Sequence, residues 1–364
     1  MPLFMDVHII PGVTARAVAE AHTKDVFAQD QFACKCMTYW IDEQRESIFC
    51  LIDAPDKEAV IAMHDQAHGL VPNKVIEVNS GVVESFLGRI FDPEDATPNP
   101  EGLKVFSDPS FRILLMTHIE DTVLLQHRLG VEAAQVALQN HREVVRRQAR
   151  RYDGREVEQG GDGFMLSFDS ATAALQCALA IQQEMKVTGA DLLKLRISLH
   201  GGEPVAQTNQ LFGDVIELSN LLGFAAKPLQ LAMSNVVRKL VGKEDLQGEN
   251  LFCLPPPDEQ LLQDLFGVIE RNWRNPDFDM DAFCRELAMS NTQLYRKCVG
   301  ITALAPNMLL KDYRLEKARA LLRKKYYNVA QVTFDSGFSS PSYFTKCFKK
   351  KFGLLPLDYL ELAS

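Results

Sequence analysis

At 364 residues the chain is too long for one ordinary hydrophobic core, and two or three domains are expected. A composition of 46% hydrophobic and 24% charged residues is that of a globular protein. No apolar run approaches the ~18 residues that cross a bilayer, so no membrane partner is expected; the net charge of −9 argues against nucleic-acid binding by the chain as a whole.

Met1 to Ile10 lacks the basic stretch and apolar core of a secretion signal. The eight scattered cysteines therefore read as reduced thiols in a cytoplasmic protein. Two proline-rich acidic stretches, 92–102 and 254–260, read as linkers. They divide the chain into segments 1–91, 103–253 and 261–364. No internal sequence repeat is evident.

The first segment opens with an alternating strand, Leu3, Met5, Val7 and Ile9 against Phe4, Asp6, His8 and Ile10. A helix near 13–29 follows, then strands near 35–41 and 47–53, a helix near 56–68 and a strand near 74–79. That βαββαβ order predicts a ferredoxin-like fold. Four of the eight histidines fall here: His8, His22, His64 and His68. His64 and His68, four apart on a helix, share one face, the spacing at which two imidazoles can grip one divalent ion. The same spacing also suits a solvated helix face. His8 lies beside Asp6, and His22 lies one turn before Asp25. Cys50, in a strand, reads as core packing rather than a ligand.

The segment also resembles a small family of ferredoxin-like nickel-binding proteins, over about 1–80. The likeness rests on Met5-Asp6-Val7-His8, Ala21-His22-Thr23-Lys24-Asp25, Tyr39-Trp40, Ile48 to Pro55, His64 to Gly69 and Ile76-Glu77-Val78. It implies a transition-metal cofactor held by His8, His22, His64 and His68, nickel first, with zinc, cobalt and copper as alternatives.

In the middle segment a strand is expected at Arg112–Ile119 and a long helix at 130–152. A hairpin of 155–158 with 164–168, a helix at 171–186 and a strand at Leu193–His200 follow. The runs Ile113 to Glu120, Gly161-Asp162-Gly163 to Phe168, Leu195 to Gly202 and Phe212 to Glu217 stand in an order that resembles class III nucleotide cyclases, over about 112–240. That chemistry needs two carboxylate-held metal ions. Asp162 fits the second carboxylate position, but His118 occupies the first, and histidine is a poor magnesium ligand. The family's purine-selecting lysine aligns with Glu158, its transition-state asparagine with Glu217 and its arginine with Leu221. Losing such donors costs orders of magnitude in rate. The resemblance therefore implies a dimerising α/β scaffold, catalytically degenerate, with no nucleotide cofactor expected. A divergent cyclase with a DNA-binding tail is the rival reading.

The third segment reads as all helix. Met280–Leu287, the turn Ala288-Met289 and a helix capped by Ser290 form one helix-turn-helix. A connecting helix at about 307–325 carries Leu315, Ala318 and Leu322. Gly337 through Gly353 forms a second motif, with Phe344 and Phe348 inward. Asn291, Thr292, Gln293, Arg296 and Lys297 on the first reader, and Ser340, Ser342, Tyr343, Thr345, Lys346 and Lys349 on the second, are the candidate DNA contacts. Residues 282–351 carry fourteen Lys/Arg against four acids, a net of +10, which leaves −19 on the rest of the chain. This segregation is the footprint of a nucleic-acid module fused to an acidic body. Leu287-Ala288-Met289-Ser290, Leu294 to Lys297, Arg314 to Ala318 and Gly337-Phe338 to Gly353 resemble the AraC-type DNA-binding domain. The resemblance implies a transcriptional regulator that binds a double-stranded promoter site, as a homodimer joined by the middle segment, under a metal or small-molecule effector.

Overall fold

The computed structural model describes residues 1–94, 96–160, 163–188, 190–242, 244–246, 250–324 and 328–363. Its first unit runs β1 (Leu3–Ile9), α1 (Ala15–Ala28), β2 (Lys35–Asp42), β3 (Ser47–Asp53), α2 (Lys57–His68), β4 (Lys74–Val78) and α3 (Ser80–Leu87). The strands form an antiparallel sheet in the order β2-β3-β1-β4. This is the ferredoxin-like arrangement expected from the βαββαβ order. Even-numbered residues of β1 face α1 and α2; Met5 and Val7 face the other way.

The second unit comprises β5 (Arg112–His118), α4 (Thr122–Leu129), α5 (Val131–Arg151), β6 (Arg155–Gly160), β7 (Gly163–Phe168), α6 (Ala171–Thr188) and α7 (Ala190–Leu193). It continues with β8 (Arg196–Gly202), α8 (Gly213–Ala225), β9 (Leu231–Met233), α9 (Asn235–Leu240) and β10 (Leu251–Cys253). The sheet order is β10-β9-β8-β5-β7-β6. Four of its strands, β8-β5-β7-β6, repeat the topology of the first sheet, βαββαβ with the first strand central, although no sequence repeat betrays it. The strand expected from Leu193 begins only at Arg196. Ala190–Leu193 coils as a helical turn, and Lys194 takes a left-handed φ of 51° before the strand.

The two sheets stack face to face. Met5, Trp40, Phe49 and Leu51 from the first pack against Leu114, Met116 and Met165 of the second, with Phe212 and Val215 at the rim. Trp40, Phe49 and Leu51 are completely buried, each stabilising the pair by about 2 kcal/mol. Polar ties flank this layer. Lys74 Nζ donates to the carbonyls of Ala206, Gln207 and Thr208 at 2.9, 2.8 and 2.6 Å. Ser47 Oγ donates to Glu203 at 2.7 Å.

The third unit is helical as expected: α10 (Pro256–Asn272), α11 (Met280–Glu286), α12 (Asn291–Thr302), α13 (Pro306–Arg323), α14 (Val329–Asp335), α15 (Pro341–Phe352) and α16 (Pro356–Leu362). It docks on the middle unit at two places. Leu218, Leu221 and Leu222 of α8 join the core of α10 to α13. Val123 and Leu124 of α4 join the core of the second helix-turn-helix, with Leu315, Phe344, Phe348 and Tyr359. Gly337 turns the chain at φ 75°; a Cβ there would lie 2.1 Å from the Trp273 carbonyl, so no other residue fits without backbone movement.

Candidate functional site

The pleat of β1 places Asp6 and His8 on one face, toward the helices. Register pairs Asp6 with Cys50 of β3, which brings the thiol onto the same face. Helix α2 starts at an Asp56 cap and ends at Gly69 in the left-handed region, so His64 and His68 project in parallel from its last turn toward the sheet. Asp25 reaches in from α1. Asp6, His8, Asp25, Cys50 and His64 are all buried.

Two overlapping groups of ligand atoms result. Asp6, His8, Cys50 and His64 form one, and Asp25, His64 and His68 the other, each with its atoms within 4.8 Å of one another. His64 belongs to both. Its Nε2 donates to Asp6 Oδ2 at 2.8 Å, and its Nδ1 to Asp25 Oδ1 at 3.1 Å. His68 Nε2 lies 3.1 Å from the same Asp25 oxygen, and His8 Nε2 3.4 Å from Asp6 Oδ1. Burial alone would push the His64 ring down, but Asp6 and Asp25 outweigh it and raise the ring to about 10. Without metal, His64 is an imidazolium held between two aspartates. Burial opposes ionisation of both aspartates, yet the histidines hold each below the usual carboxylate range.

Three of the four histidines singled out from sequence thus converge. His22 does not join their ligand atoms. It lines the same cavity of about 210 Å3, but its ring turns to Tyr39, with centroids 5.1 Å apart. Sequence spacing missed Asp6, Asp25 and Cys50 as members of the cluster. The signal for Asp6 was its two-residue offset from His8. The reading of Cys50 as core packing is corrected in one respect: buried as it is, its sulfur stands among the ligand atoms.

On the third unit, Ser290 caps α12 in a capping box with Gln293, and Leu294 and Cys298 are fully buried. Asn291, Thr292, Gln293, Arg296 and Lys297 are exposed on one side. The Gln293 side-chain oxygen accepts from the Ser290 backbone N–H at 3.2 Å, so part of its hydrogen-bonding capacity is already committed. In α15, Phe344 and Phe348 are fully buried, while Ser342, Tyr343, Lys346 and Lys349 are exposed and Thr345 half-buried. Ser340 is half-buried, and its hydroxyl accepts from the Tyr343 N–H at 3.3 Å as the helix cap.

Residues 283–361 match a helix-turn-helix domain family, and residues 4–78 match the family described as nickel responsive protein SCO4226-like. The chain joins these two domains. Histidine kinase P4 of Formosa agariphila is 42% identical over 102 residues, 28% of this chain and 7% of that protein. An adenylate cyclase of Podospora anserina is 28% identical over 187 residues, 44% of this chain and 8% of that one. The HTH-type transcriptional activator RhaR of Escherichia coli is 26% identical over 165 residues, 45% of this chain and 57% of that one. The chain spans under a tenth of the first two and a little over half of the third.

Of the cyclase-like residues of the middle unit, the described His118, Glu217 and Leu221 have separate surroundings. His118 is half-buried, shares a hydrogen bond with Ser198 Oγ at 3.0 Å, and is pushed down to about 3 by desolvation and by Arg196. Its ring lies against α8, where a Cβ on Gly223 would come within 2.2 Å of it. Glu217 is exposed and lines a different cavity, beside α10. Leu221 is buried in the cluster that docks the helix-turn-helix domain. Asp162 lies outside the described residues. Among the described residues no helix is long and apolar enough to cross a membrane.

Proposed function

We propose that the chain is a transcriptional regulator that binds double-stranded DNA through α12 and α15 and responds to a transition metal held in its first domain. The observation that carries the DNA reading is the helix-turn-helix match over 283–361, whose two reading helices present Arg296, Lys297, Lys346 and Lys349 to solvent. Selection of bound fragments from random duplex DNA by the full chain tests it. Enrichment of a defined site supports the reading; recovery no better than for bulk DNA rejects it. Lys349→Ala is expected to weaken binding on all sequences alike and to lower the slope of log affinity against log salt by about 1. An unchanged slope removes Lys349 from the interface.

The metal reading rests on the donor set. Asp6 Oδ1 is buried, has only the 3.4 Å contact to His8 Nε2 and no well-formed hydrogen bond among the described residues, and points into a cluster of imidazole and thiol ligands. Such N/O/S donors suit nickel, cobalt, copper or zinc rather than magnesium or calcium. The match to a nickel-responsive family supports nickel first. His64, His68, His8, Asp6, Asp25 and Cys50 would hold the ion, which would take the place of the proton now shared by His64 and its aspartates. We place the protein in the cytoplasm, acting as a homodimer.

The middle unit we read as a scaffold without cyclase activity. In it the position of the transition-state arginine, Leu221, has become part of a docking surface for the DNA-binding domain. Incubation with ATP or GTP and manganese is expected to give no cyclic product above a boiled-protein control; product formation reverses this reading.

A further inference from the structure

Between the middle unit and the second helix-turn-helix lies a cavity of about 510 Å3. Its floor is the end of β5 and the start of β8, with His118, Lys194 and Arg196; α8 supplies Asn220 and Phe224. The facing wall is α13 and the end of α15, with Asp312, Glu316, Arg319, Lys351 and Phe352. We propose that this cavity is a binding site for a small molecule with an oxyanion head, phosphate or carboxylate, on an apolar body, and that Arg196 is the receptor for the head.

The charge pattern supports an anion. Every acid in the lining is already paired. Glu120 is held by Lys194 at 2.5 Å and by Arg128 at 2.7 Å. Asp121 is held by Arg319 and Arg323. Lys351 bridges Asp312 at 3.3 Å and Glu316 at 3.2 Å. The lining holds four acids and four cations, and Arg128 and Arg323 reach Glu120 and Asp121 from outside it, which leaves Arg196 without an acid of its own. Arg196 is the cation that remains: half-buried, it makes no hydrogen bond or ion pair among the described residues. Burial lowers its pKa, and Glu316 of the facing wall only partly offsets this. Its guanidinium opens to the cavity without a partner, and its planar fork of donors matches an oxyanion. His118 adds no charge, being held neutral by burial. Phe224 and Phe352, with Leu124 and Leu304, give an apolar wall for the rest of the ligand. Since one wall belongs to the DNA-binding domain, an occupant would touch both units and shift their docking.

The test uses metal-stripped full-length protein, so it stands apart from the metal reading. Phenyl phosphate is the probe, with inorganic phosphate and phenol as controls at matched ionic strength. Thermal shift and calorimetry are expected to show binding of phenyl phosphate, weaker binding of phosphate and none of phenol. Arg196→Gln should weaken phenyl phosphate by about 10- to 100-fold. Where that variant fails to fold, Arg196→Lys keeps the charge but loses the fork, and about tenfold weaker binding is expected. Binding of phenol equal to that of phenyl phosphate, or undiminished binding by both variants, overturns the proposal.

Discussion

Replacing His64 with alanine is expected to abolish the stabilisation that nickel gives the wild-type protein. His64 is the residue common to both ligand groups, so no arrangement of one ion or two survives its loss. At 100 times its dissociation constant, nickel should add about 2.7 kcal/mol to the wild type, a thermal shift of several degrees. The variant should show none. It should also be less stable without metal, by about 3 kcal/mol or more, because Asp6 and Asp25 would be left as buried carboxylates without a cation between them. His68→Ala is the milder control: it empties only the second group and leaves the Asp6–His64–Asp25 chain intact. A full nickel shift in His64→Ala would place the metal elsewhere.

The same triad sets a pH dependence. The His64 ring rises from 6.5 to about 10 on folding, so its contribution is complete below pH 6.5 and lost as pH climbs toward 10. Asp6 and Asp25 are depressed below 3.8, so their contribution is present above that pH and lost on acidification. Metal-free protein should therefore be most stable between about pH 4 and 6.5. Nickel must displace the His64 proton, so its affinity should rise as pH goes from 6 to 9. A titration in which nickel affinity is flat over that range would show that the His64 proton is not what the metal replaces.

Much of this was legible in local pattern. The two-residue period of β1 put Asp6 and His8 on one face. The four-residue spacing put His64 beside His68, and Leu294/Cys298 and Phe344/Phe348 inward with the reading residues outward. These are short-range regularities of a strand or a helix. What was not legible depends on contacts far apart in the chain. Cys50 reaches the cluster of candidate ligands because β3 registers it against Asp6, and no local signal states that register. His22 shares a helix with Asp25 at a spacing that suits a joint site, yet Tyr39, from another strand, takes its ring. Leu221 could be read only as a lost arginine. Its burial against the third unit shows why leucine belongs there. Likewise α4 gave little warning that Val123 and Leu124 enter the core of a domain two hundred residues away.

That last contact leads to the second large effect, at Asp121. Its Oδ1 caps α4, accepting from the N–H of Val123 and Leu124 at 3.0 and 3.2 Å. Its Oδ2 accepts from Tyr359 Oη at 3.1 Å and pairs with Arg323 at 3.3 Å and with Arg319. One buried carboxylate thus ties the middle unit to both the connecting helix and the last helix of the DNA-binding domain. Asp121→Ala removes the cap, worth about 1 kcal/mol, and the partner of two guanidinium groups. Breaking a fully buried pair costs about 3–5 kcal/mol, but Arg323 is 38% exposed and can turn to water, so the total should lie near 3 kcal/mol. Asp121→Asn keeps a capping oxygen and should lose less. The loss should be local. Hydrogen exchange is expected to quicken in α4, α15 and α16 while β1, β3 and α2 keep their protection, and nickel should bind as before. If the metal acts on DNA through this joint, the ratio of DNA affinities with and without nickel should fall toward one in Asp121→Ala. An unchanged ratio would route the coupling through α8 and the Leu218–Leu222 surface instead.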